Sequence, residues 1–260
     1  MLGTTMLLWI LFLFNPQKEK IQKLHYKRFA ICMILGIVVN QLLFIKGLSL
    51  TYSIHASLLM LTTPIFITII AAWLLKESIN ANKIIGLILG LSGAATLILA
   101  RHNTGNGMNV VLGDIFVVIN AICYSYYFVL VKPLMKRYNP ITVIRTLFTY
   151  GTICALPFCW TEFSSTPWQH FTTEAFFILG LIVFGGTFCA YLFNLYGIKH
   201  LGPSVSGAYI YSQPLFASII AMIFLGESFE IYKVIGAILI FSGVFLANKT
   251  KPNQIETEDV

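Results

Sequence analysis

Eight long apolar runs follow one another along the chain, and they constrain the fold more than any other feature. Each run is close to the roughly 20 residues that an α-helix needs to cross a bilayer. The runs are Phe29–Leu50, Ile54–Leu75, Lys83–Ala100, Val111–Val131, Ile141–Trp160, Ala175–Gly197, Ser204–Leu225 and Lys233–Ala247. Because they are continuous rather than alternating, they favour helices over the strands of a membrane barrel. The sequence therefore predicts an all-α polytopic membrane protein.

The first apolar segment, Met1–Phe14, is shorter than the others. As a helix its fourteen residues would span about 21 Å, whereas a hydrocarbon core is about 30 Å thick. It also lacks the basic start and the small-residue cleavage site of a signal peptide. We interpret it as the second half of a helix, and we expect about nine transmembrane segments with the first helix missing.

The basic residues predict the orientation in the membrane. If the loop Asn15–Arg28 is cytoplasmic, thirteen Lys and Arg residues fall in cytoplasmic connections, against two, Arg101 and Lys233, on the other side. Such a bias is typical of the positive-inside rule. The net charge of +7 therefore indicates topology, and nucleic acid is not an expected partner. The predicted location is the bacterial inner membrane, with a disordered cytoplasmic tail at 249–260.

An internal duplication links the two halves of the sequence. When the chain is shifted by 150 residues, Pro64–Gly93 aligns without a gap on Pro214–Gly243, and fifteen of thirty positions are identical. The identities include Pro, Glu, Ser, Lys and Gly, which an apolar composition alone does not explain. We predict two repeats, at residues 1–101 and 111–248.

The number of helices between equivalent positions predicts how the repeats are oriented. Five apolar runs separate Glu77 from Glu227, and an odd number places the two carboxylates on opposite faces of the membrane. The repeats are therefore expected to be inverted, which is the architecture of many secondary transporters.

These motifs resemble the EamA domain of the drug/metabolite transporter superfamily. The resemblance rests on the doubled Pro-to-Gly motif, including Leu225-Gly226-Glu227, and on further positions in the same register. These are Gly113-Asp114 with Tyr127, Gln41 and Phe44 ahead of Gly47, and Tyr191 to Tyr196 ahead of Gly197. It covers about Phe29–Ala247. It implies two five-helix repeats and transport of small molecules.

Two prolines in matching positions are candidate hinges. Pro64 and Pro214 each lie about ten residues into an apolar run, where a proline removes a helical hydrogen bond. Thr62-Thr63 precede the first proline and Ser212-Gln213 the second. Interrupted helices at corresponding positions indicate a central binding site. The alternative is a packing kink in which Thr and Ser bond to their own helix.

Polar side chains near the middle of the predicted helices are the candidate substrate-binding residues, since they are costly in lipid. They are Asn40, Gln41, Thr63, Asn120, Tyr124, Tyr127, Tyr191, Asn194, Tyr211 and Gln213. A lining of amides and tyrosines fits amphipathic metabolites, such as amino acids with apolar side chains, better than polyanions. For the asparagines, hydrogen bonding between helices is an equal alternative.

The sequence predicts the roles of the charged residues within or next to the helices less specifically. Lys46 and Arg145 either extend to the interface or attract an anionic substrate. Glu77 and Glu227 are expected to tie loop ends together, and Asp114 suits a helix N-terminus.

The leading hypothesis is a secondary transporter that exports small amphipathic metabolites by alternating access. The motifs of an enzyme, a cofactor site or a metal site are absent from the sequence, so neither catalysis nor a cofactor is expected. A truncated, non-transporting or sensor-like protein of the same fold remains the alternative. Gly86 and Gly90 form a GxxxG pattern, which predicts close helix packing within the chain or in a homodimer.

Overall fold

The computed structural model describes residues 1–14, 19–99, 109–224 and 231–248, and within these ranges it contains helices and no strands. Arg101, Glu227, Ser228 and the tail at 249–260, which carry some of the predictions above, lie outside the described residues. The α-helices are α1 Leu2–Leu13, α2 Tyr26–Met33, α3 Val39–Leu50, α4 Ser53–Met60, α5 Thr63–Leu75, α6 Ala81–Leu99, α7 Val110–Leu130, α8 Lys132–Met135, α9 Pro140–Ser165, α10 Thr173–Leu181, α11 Ala190–Leu201, α12 Pro203–Ala208, α13 Gln213–Phe224 and α14 Ile231–Asn248.

Several of these helices run on into one another and form spans long enough to cross a membrane. Among the described residues, five spans combine sufficient length with high hydropathy. They are Lys23–Leu50, His55–Leu75, Val110–Met135, Pro140–Ser165 and Thr173–Leu201. Leu2–Leu13, Ala81–Thr96 and Val234–Ala247 are shorter apolar helices. The prediction of an all-helical chain built from apolar spans is confirmed for the described residues.

The described residues form two compact units. The first combines Met1–Leu42 with Leu130–Gly202, and the second combines Leu43–Val129 with the described residues from Pro203 onward. Each unit thus draws residues from both predicted repeats.

Four helical spans are interrupted, and the interruptions lie at matching positions of the two halves. A π-helical segment, Ile34–Val38, separates α2 from α3, and another, Ile182–Cys189, separates α10 from α11. A turn at 61–62 separates α4 from α5, and a 3₁₀ segment at Tyr209–Ser212 separates α12 from α13. A shift of 150 residues brings each interruption onto its counterpart. π-Helical turns are uncommon and occur often at functional sites.

The prolines lie at the start of a helix after each break. Pro64 occupies the first turn of α5 and Pro214 is the second residue of α13. In the first turn the missing N–H of proline has no helical partner to lose, and its fixed φ suits the helix. The sequence predicted kinks inside continuous helices; the structure instead divides each span just before its proline.

Close packing of α6 on α14 organises the second unit. A Cβ built on Gly86 would lie 2.6 Å from the carbonyl oxygen of Gly243, and a Cβ on Gly93 would lie 2.8 Å from that of Gly236. The two backbones therefore touch at glycine pairs. The GxxxG prediction of close packing is confirmed within the chain. Beside this contact lies an apolar core of Leu61, Ala94, Tyr211, Leu215, Ile240 and Val244.

In the first unit, α1 packs along α9 through hydroxyl pairs. The Thr5 and Thr152 hydroxyl oxygens are 2.9 Å apart, and the Trp9 indole N–H donates to the Thr149 hydroxyl at 3.0 Å. Gly151 of α9 lets the π-helical segment at Ile34–Val38 approach, since a Cβ there would lie 2.8 Å from Cγ2 of Ile37.

Candidate functional site

The predicted substrate-binding residues fall into two sets, one in each unit. Asn40, Gln41, Tyr191 and Asn194 belong to the first unit, together with Arg145. The second unit holds Thr63, Asn120, Tyr124, Tyr127, Tyr211 and Gln213, together with Lys46, Pro64 and Pro214.

In the first unit, Tyr191 joins the two π-interrupted spans. Its hydroxyl donates to the Gly36 carbonyl oxygen, at 2.9 Å, inside the Ile34–Val38 segment. The same hydroxyl lies 3.1 Å from Oδ1 of Asn40, and Gln41 also bonds to it. The Tyr191 ring meets Phe148 edge-on at 5.0 Å between centroids. The structure therefore brings three of the predicted residues, Asn40, Gln41 and Tyr191, into one polar cluster.

This cluster supplies a side-chain donor to a backbone carbonyl inside the first π-helical segment. A buried carbonyl without a partner is costly, so a change of helical register needs a substitute donor. Tyr191 supplies a buried donor at Gly36, whereas in the second π segment the Thr187 hydroxyl donates to the Ile182 carbonyl at 3.4 Å at an exposed position. The sequence offered no signal for either π segment.

Arg145 is held by aromatic rings of α1. Its guanidinium carbon lies 3.4 Å from the ring centre of Phe12 and 4.6 Å from that of Trp9. Arginine stacks on aromatic faces through cation–π attraction. Lys46 is exposed on α3. Attraction of an anionic substrate by Lys46 or Arg145 stays a prediction.

In the second unit, α7 carries three of the predicted residues and one polar side chain that contacts α5. Asn120 and Tyr127 are buried, and Tyr124 packs against Tyr127 with ring centres 5.8 Å apart. The hydroxyl of Ser125, which the sequence did not single out, lies 3.2 Å from the carbonyl oxygen of Thr63 and 2.6 Å from that of Ala121 in its own helix. This hydroxyl thus places α7 against the first residue of α5, beside Pro64.

The residues around the two breaks differ in exposure. The Thr62 hydroxyl donates to the Leu59 carbonyl at 2.7 Å, so the alternative of a threonine bonding to its own span is confirmed there. Thr63 is buried. After the second break, Gln213 is exposed, whereas Tyr211 is fully buried against Gly90. Within the described residues the Tyr211 hydroxyl has no hydrogen-bond partner.

One cluster of charged and polar groups lies at the end of α5. Lys76 has a left-handed φ of 54° and turns the chain out of the helix. Oε2 of the next residue, Glu77, accepts from the Ser204 hydroxyl at 2.5 Å and lies 3.4 Å from Nζ of Lys83. Lys83 also donates to the Ser78 carbonyl at 3.1 Å. The prediction that Glu77 ties loop ends together is confirmed: it joins α5 and α6 to the start of α12.

A second cluster lies at the start of α7. Asn109 caps this helix by accepting from the Leu112 N–H at 3.2 Å. Asp114, one turn in, accepts from the Thr51 hydroxyl at 2.5 Å and lies 3.3 Å from Nδ1 of His55. The expected position of Asp114 near a helix N-terminus is confirmed, and Thr51 and His55 are partners that the sequence did not reveal.

With this geometry established, comparison with known proteins shows the family. The sequence profile of the EamA-like transporter family matches residues 1–99 and 111–249. The chain belongs to the EamA-like transporter family. The match includes both halves of the duplication and nearly all of the described helices.

Individual relatives agree with this membership. YoaV of Bacillus subtilis, an uncharacterized transporter, is 27% identical over 248 residues, which are 94% of this chain and 83% of YoaV. YyaM of the same organism, also an uncharacterized transporter, is 24% identical and covers 95% of this chain and 80% of its own length. A crystal structure with 18% sequence identity superposes with a TM-score of 0.77 over 95% of this chain and 86% of its own, which supports the fold.

EamA membership gives the chain a general function. It is a transporter from the drug/metabolite transporter superfamily, an integral membrane protein that acts on small molecules in a lipid environment. The family is one of transporters rather than of enzymes.

Proposed function

We propose that this EamA protein is a secondary transporter with two inverted repeats, which exports small amphipathic metabolites across the inner membrane by alternating access. The observation that carries the proposal is the contact between α6 and α14. These helices are equivalent under the shift of 150 residues, and their glycines pair crosswise: Gly86 meets Gly243, and Gly93 meets Gly236.

Crosswise pairing supports inversion on geometric grounds. Under the shift of 150 residues, Gly86 corresponds to Gly236 and Gly93 corresponds to Gly243. Each glycine of α6 therefore contacts the counterpart of the other one, and contacts that are exchanged in this way indicate a local two-fold axis between the two copies. Because the earlier glycine of α6 meets the later glycine of α14, the helices run antiparallel. An axis that relates antiparallel helices lies perpendicular to them, hence in the membrane plane, as in many secondary transporters.

The paired interruptions support alternating access. Breaks at Ile34–Val38 and Ile182–Cys189, and again ahead of Pro64 and Pro214, provide positions where a span can change direction without unfolding. Hinges of this kind use a few residues at the ends of helices. The tie between Glu77 and Ser204 is suited to hold one end of the transporter closed.

The polar groups support the proposed substrate class. The cluster of Asn40, Gln41 and Tyr191 in the first unit offers neutral donors and acceptors within apolar helices, and in the second unit the exposed amide of Gln213 does the same. Such groups orient a small molecule that has an apolar body and a polar head.

Metabolite profiling tests the transport function. In cells that overexpress the protein, we expect one or a few small amphipathic compounds to fall in the cytoplasm and to rise in the medium, relative to cells with an empty vector. The same profile in both strains would contradict the proposal. Mass spectrometry of both fractions identifies the compound.

Cysteine labelling tests the inverted repeats. In a protein whose five native cysteines are replaced by alanine, we introduce Ser78→Cys or Ser228→Cys and add a membrane-impermeant maleimide to intact cells. We expect Ser228→Cys to react at once and Ser78→Cys to react only after permeabilisation. Gln169→Cys, after α9, is predicted to lie outside and serves as the control. Reaction of both positions from one side would contradict inversion.

A further inference from the structure

One buried polar contact in the second unit joins the two predicted repeats. Oε2 of Glu77, directly after α5, accepts from the hydroxyl of Ser204 in α12 at 2.5 Å and lies 3.4 Å from Nζ of Lys83 in α6. Glu77 and Lys83 belong to the first repeat and Ser204 to the second, and we call these three residues the Glu77 tie. Hydrogen bonds to an ionised group are stronger than those between neutral groups, so the tie stabilises the conformation that contains it.

The helices around the Glu77 tie are tightly packed. Lys83 and Ser204 are both buried, and the cavity beside them, between α5, α6, α12 and α14, has a volume of about 10 Å³. That is roughly the space that one water molecule needs. A metabolite is many times larger, so it cannot pass between these helices while the tie is in place. The positive-inside rule predicts that this end of the second unit is cytoplasmic, since Lys76 and Lys83 lie on the basic side.

The internal duplication reproduces only part of this tie. The shift of 150 residues equates its carboxylate and its ammonium with identical residues, Glu227 and Lys233. It equates Ser204 with Ile54, whose side chain has no group that can donate a hydrogen bond. When two inverted repeats exchange their conformations, a contact between them at one face of the membrane is replaced by its counterpart at the other face. The counterpart of the Glu77 tie therefore lacks the hydroxyl.

We propose that the Glu77 tie sets the resting conformation of the empty transporter, with the cytoplasmic end closed and the outer end open, because only the cytoplasmic end has the Ser204 hydroxyl. Ser204 is a positioning residue that acts on the balance between conformations and does not touch the substrate. This role of Ser204 rests on the proposed alternating access between inverted repeats. The fraction of protein that is open to the cytoplasm limits the apparent affinity for a substrate that arrives from that side, so the tie also regulates export.

Labelling of a buried cysteine measures how often the cytoplasmic end opens. Ala208 of α12 lines the small cavity and is buried, so a cysteine at this position reacts with a maleimide only after opening. We use the full-length protein in detergent, with its five native cysteines replaced by alanine and with Ala208→Cys added. Ser204→Ala is expected to raise the rate of labelling about 10- to 150-fold, the usual scale for one hydrogen bond to a charged group.

Two controls separate opening from a general loss of stability. Ser206 is buried in the same helix, and its hydroxyl has no hydrogen-bond partner among the described residues, so Ser206→Ala should leave the rate of labelling unchanged. Ala94 is fully buried in the apolar core formed by α6 and α14, and Ala94→Cys therefore reports on loosening of the whole unit. Its labelling is expected to stay slow in the Ser204→Ala protein.

A substitution in the other repeat tests the asymmetry between the two ends. Ile54→Ser supplies the hydroxyl that the counterpart of the Glu77 tie lacks, so it should stabilise the conformation that is open to the cytoplasm. Labelling of Ala208→Cys is therefore expected to become faster although the Glu77 tie itself is intact. Ile54→Ala, which removes the isoleucine without adding a hydroxyl, is the matched control. If Ser204 only stabilised the local structure, Ile54→Ser would have no such effect on Ala208→Cys.

Three results would overturn this role of Ser204. They are equal labelling of Ala208→Cys in the Ser204→Ala and Ser206→Ala proteins, an equal rise in labelling at Ala94→Cys, and equal rates in the Ile54→Ser and Ile54→Ala proteins. Because these rates need no substrate, the expected labelling together with an absence of export in metabolite profiling would contradict the proposed transport and leave the tie standing. Normal export without any response of the labelling would contradict the tie alone.

Discussion

Replacing Gly243 with leucine is expected to prevent stable folding of the second unit. A Cβ at this position would lie 2.6 Å from the Gly86 carbonyl oxygen and 2.6 Å from the Gly90 amide nitrogen. Both are backbone atoms, so no side chain can rotate away to make room. Even Gly243→Ala would force α6 and α14 apart, at a cost of about 1–3 kcal/mol as for other overpacked cores. The larger leucine side chain would cost more.

Thermal unfolding of the protein in detergent measures this effect. For a chain of this size we expect Gly243→Ala to lower the melting temperature by roughly 5–10 °C, and Gly243→Leu to give little folded protein. Gly180 is the matched control, because it lies in α10 and no atom lies within 4 Å of a Cβ built there. A Gly243→Leu protein that melted like Gly180→Leu would show that α6 and α14 do not pack through their glycines.

The sequence predicted the helices well because their main signal is local. The run Val111–Val131 is observed as Val110–Leu130 and the run Ile141–Trp160 as Pro140–Ser165. The length of an apolar run determines where such a helix forms, and no long-range contact is needed to predict its position. The repeat could be detected for the same reason, because it consists of identical residues at a fixed spacing along the sequence.

The interruptions and the polar contacts depend on residues far apart in the chain, so local patterns could not reveal them. The π segment at Ile34–Val38 has its Gly36 carbonyl satisfied by Tyr191, 155 positions away. Ser204 reaches Glu77 across 127 positions. The sequence pattern also could not predict which side chains of the apolar helices are buried. Tyr211 and Gln213 are two residues apart, yet the tyrosine is fully buried and the glutamine is exposed.

Loss of export is the expected result of replacing Gln213 with alanine. Gln213 is the first residue of α13, directly after the 3₁₀ segment and before Pro214. Its exposed amide can donate to and accept from a substrate, which an alanine side chain cannot. A buried group of the substrate left without its partner costs about 1–3 kcal/mol, which corresponds to an export rate lower by about 5- to 150-fold.

Folding should be unaffected in this variant, and that separates a role in transport from a role in structure. Because Gln213 is exposed, its truncation removes little packing, and we expect an unchanged melting temperature and membrane yield. Gln169→Ala, at an exposed position in the 3₁₀ turn after α9, controls for the loss of a glutamine as such. Export is followed by the release of the metabolite identified by profiling. Wild-type release by Gln213→Ala would remove this residue from the substrate path, whereas reduced release with a lowered melting temperature would assign it a structural role at the second helix break.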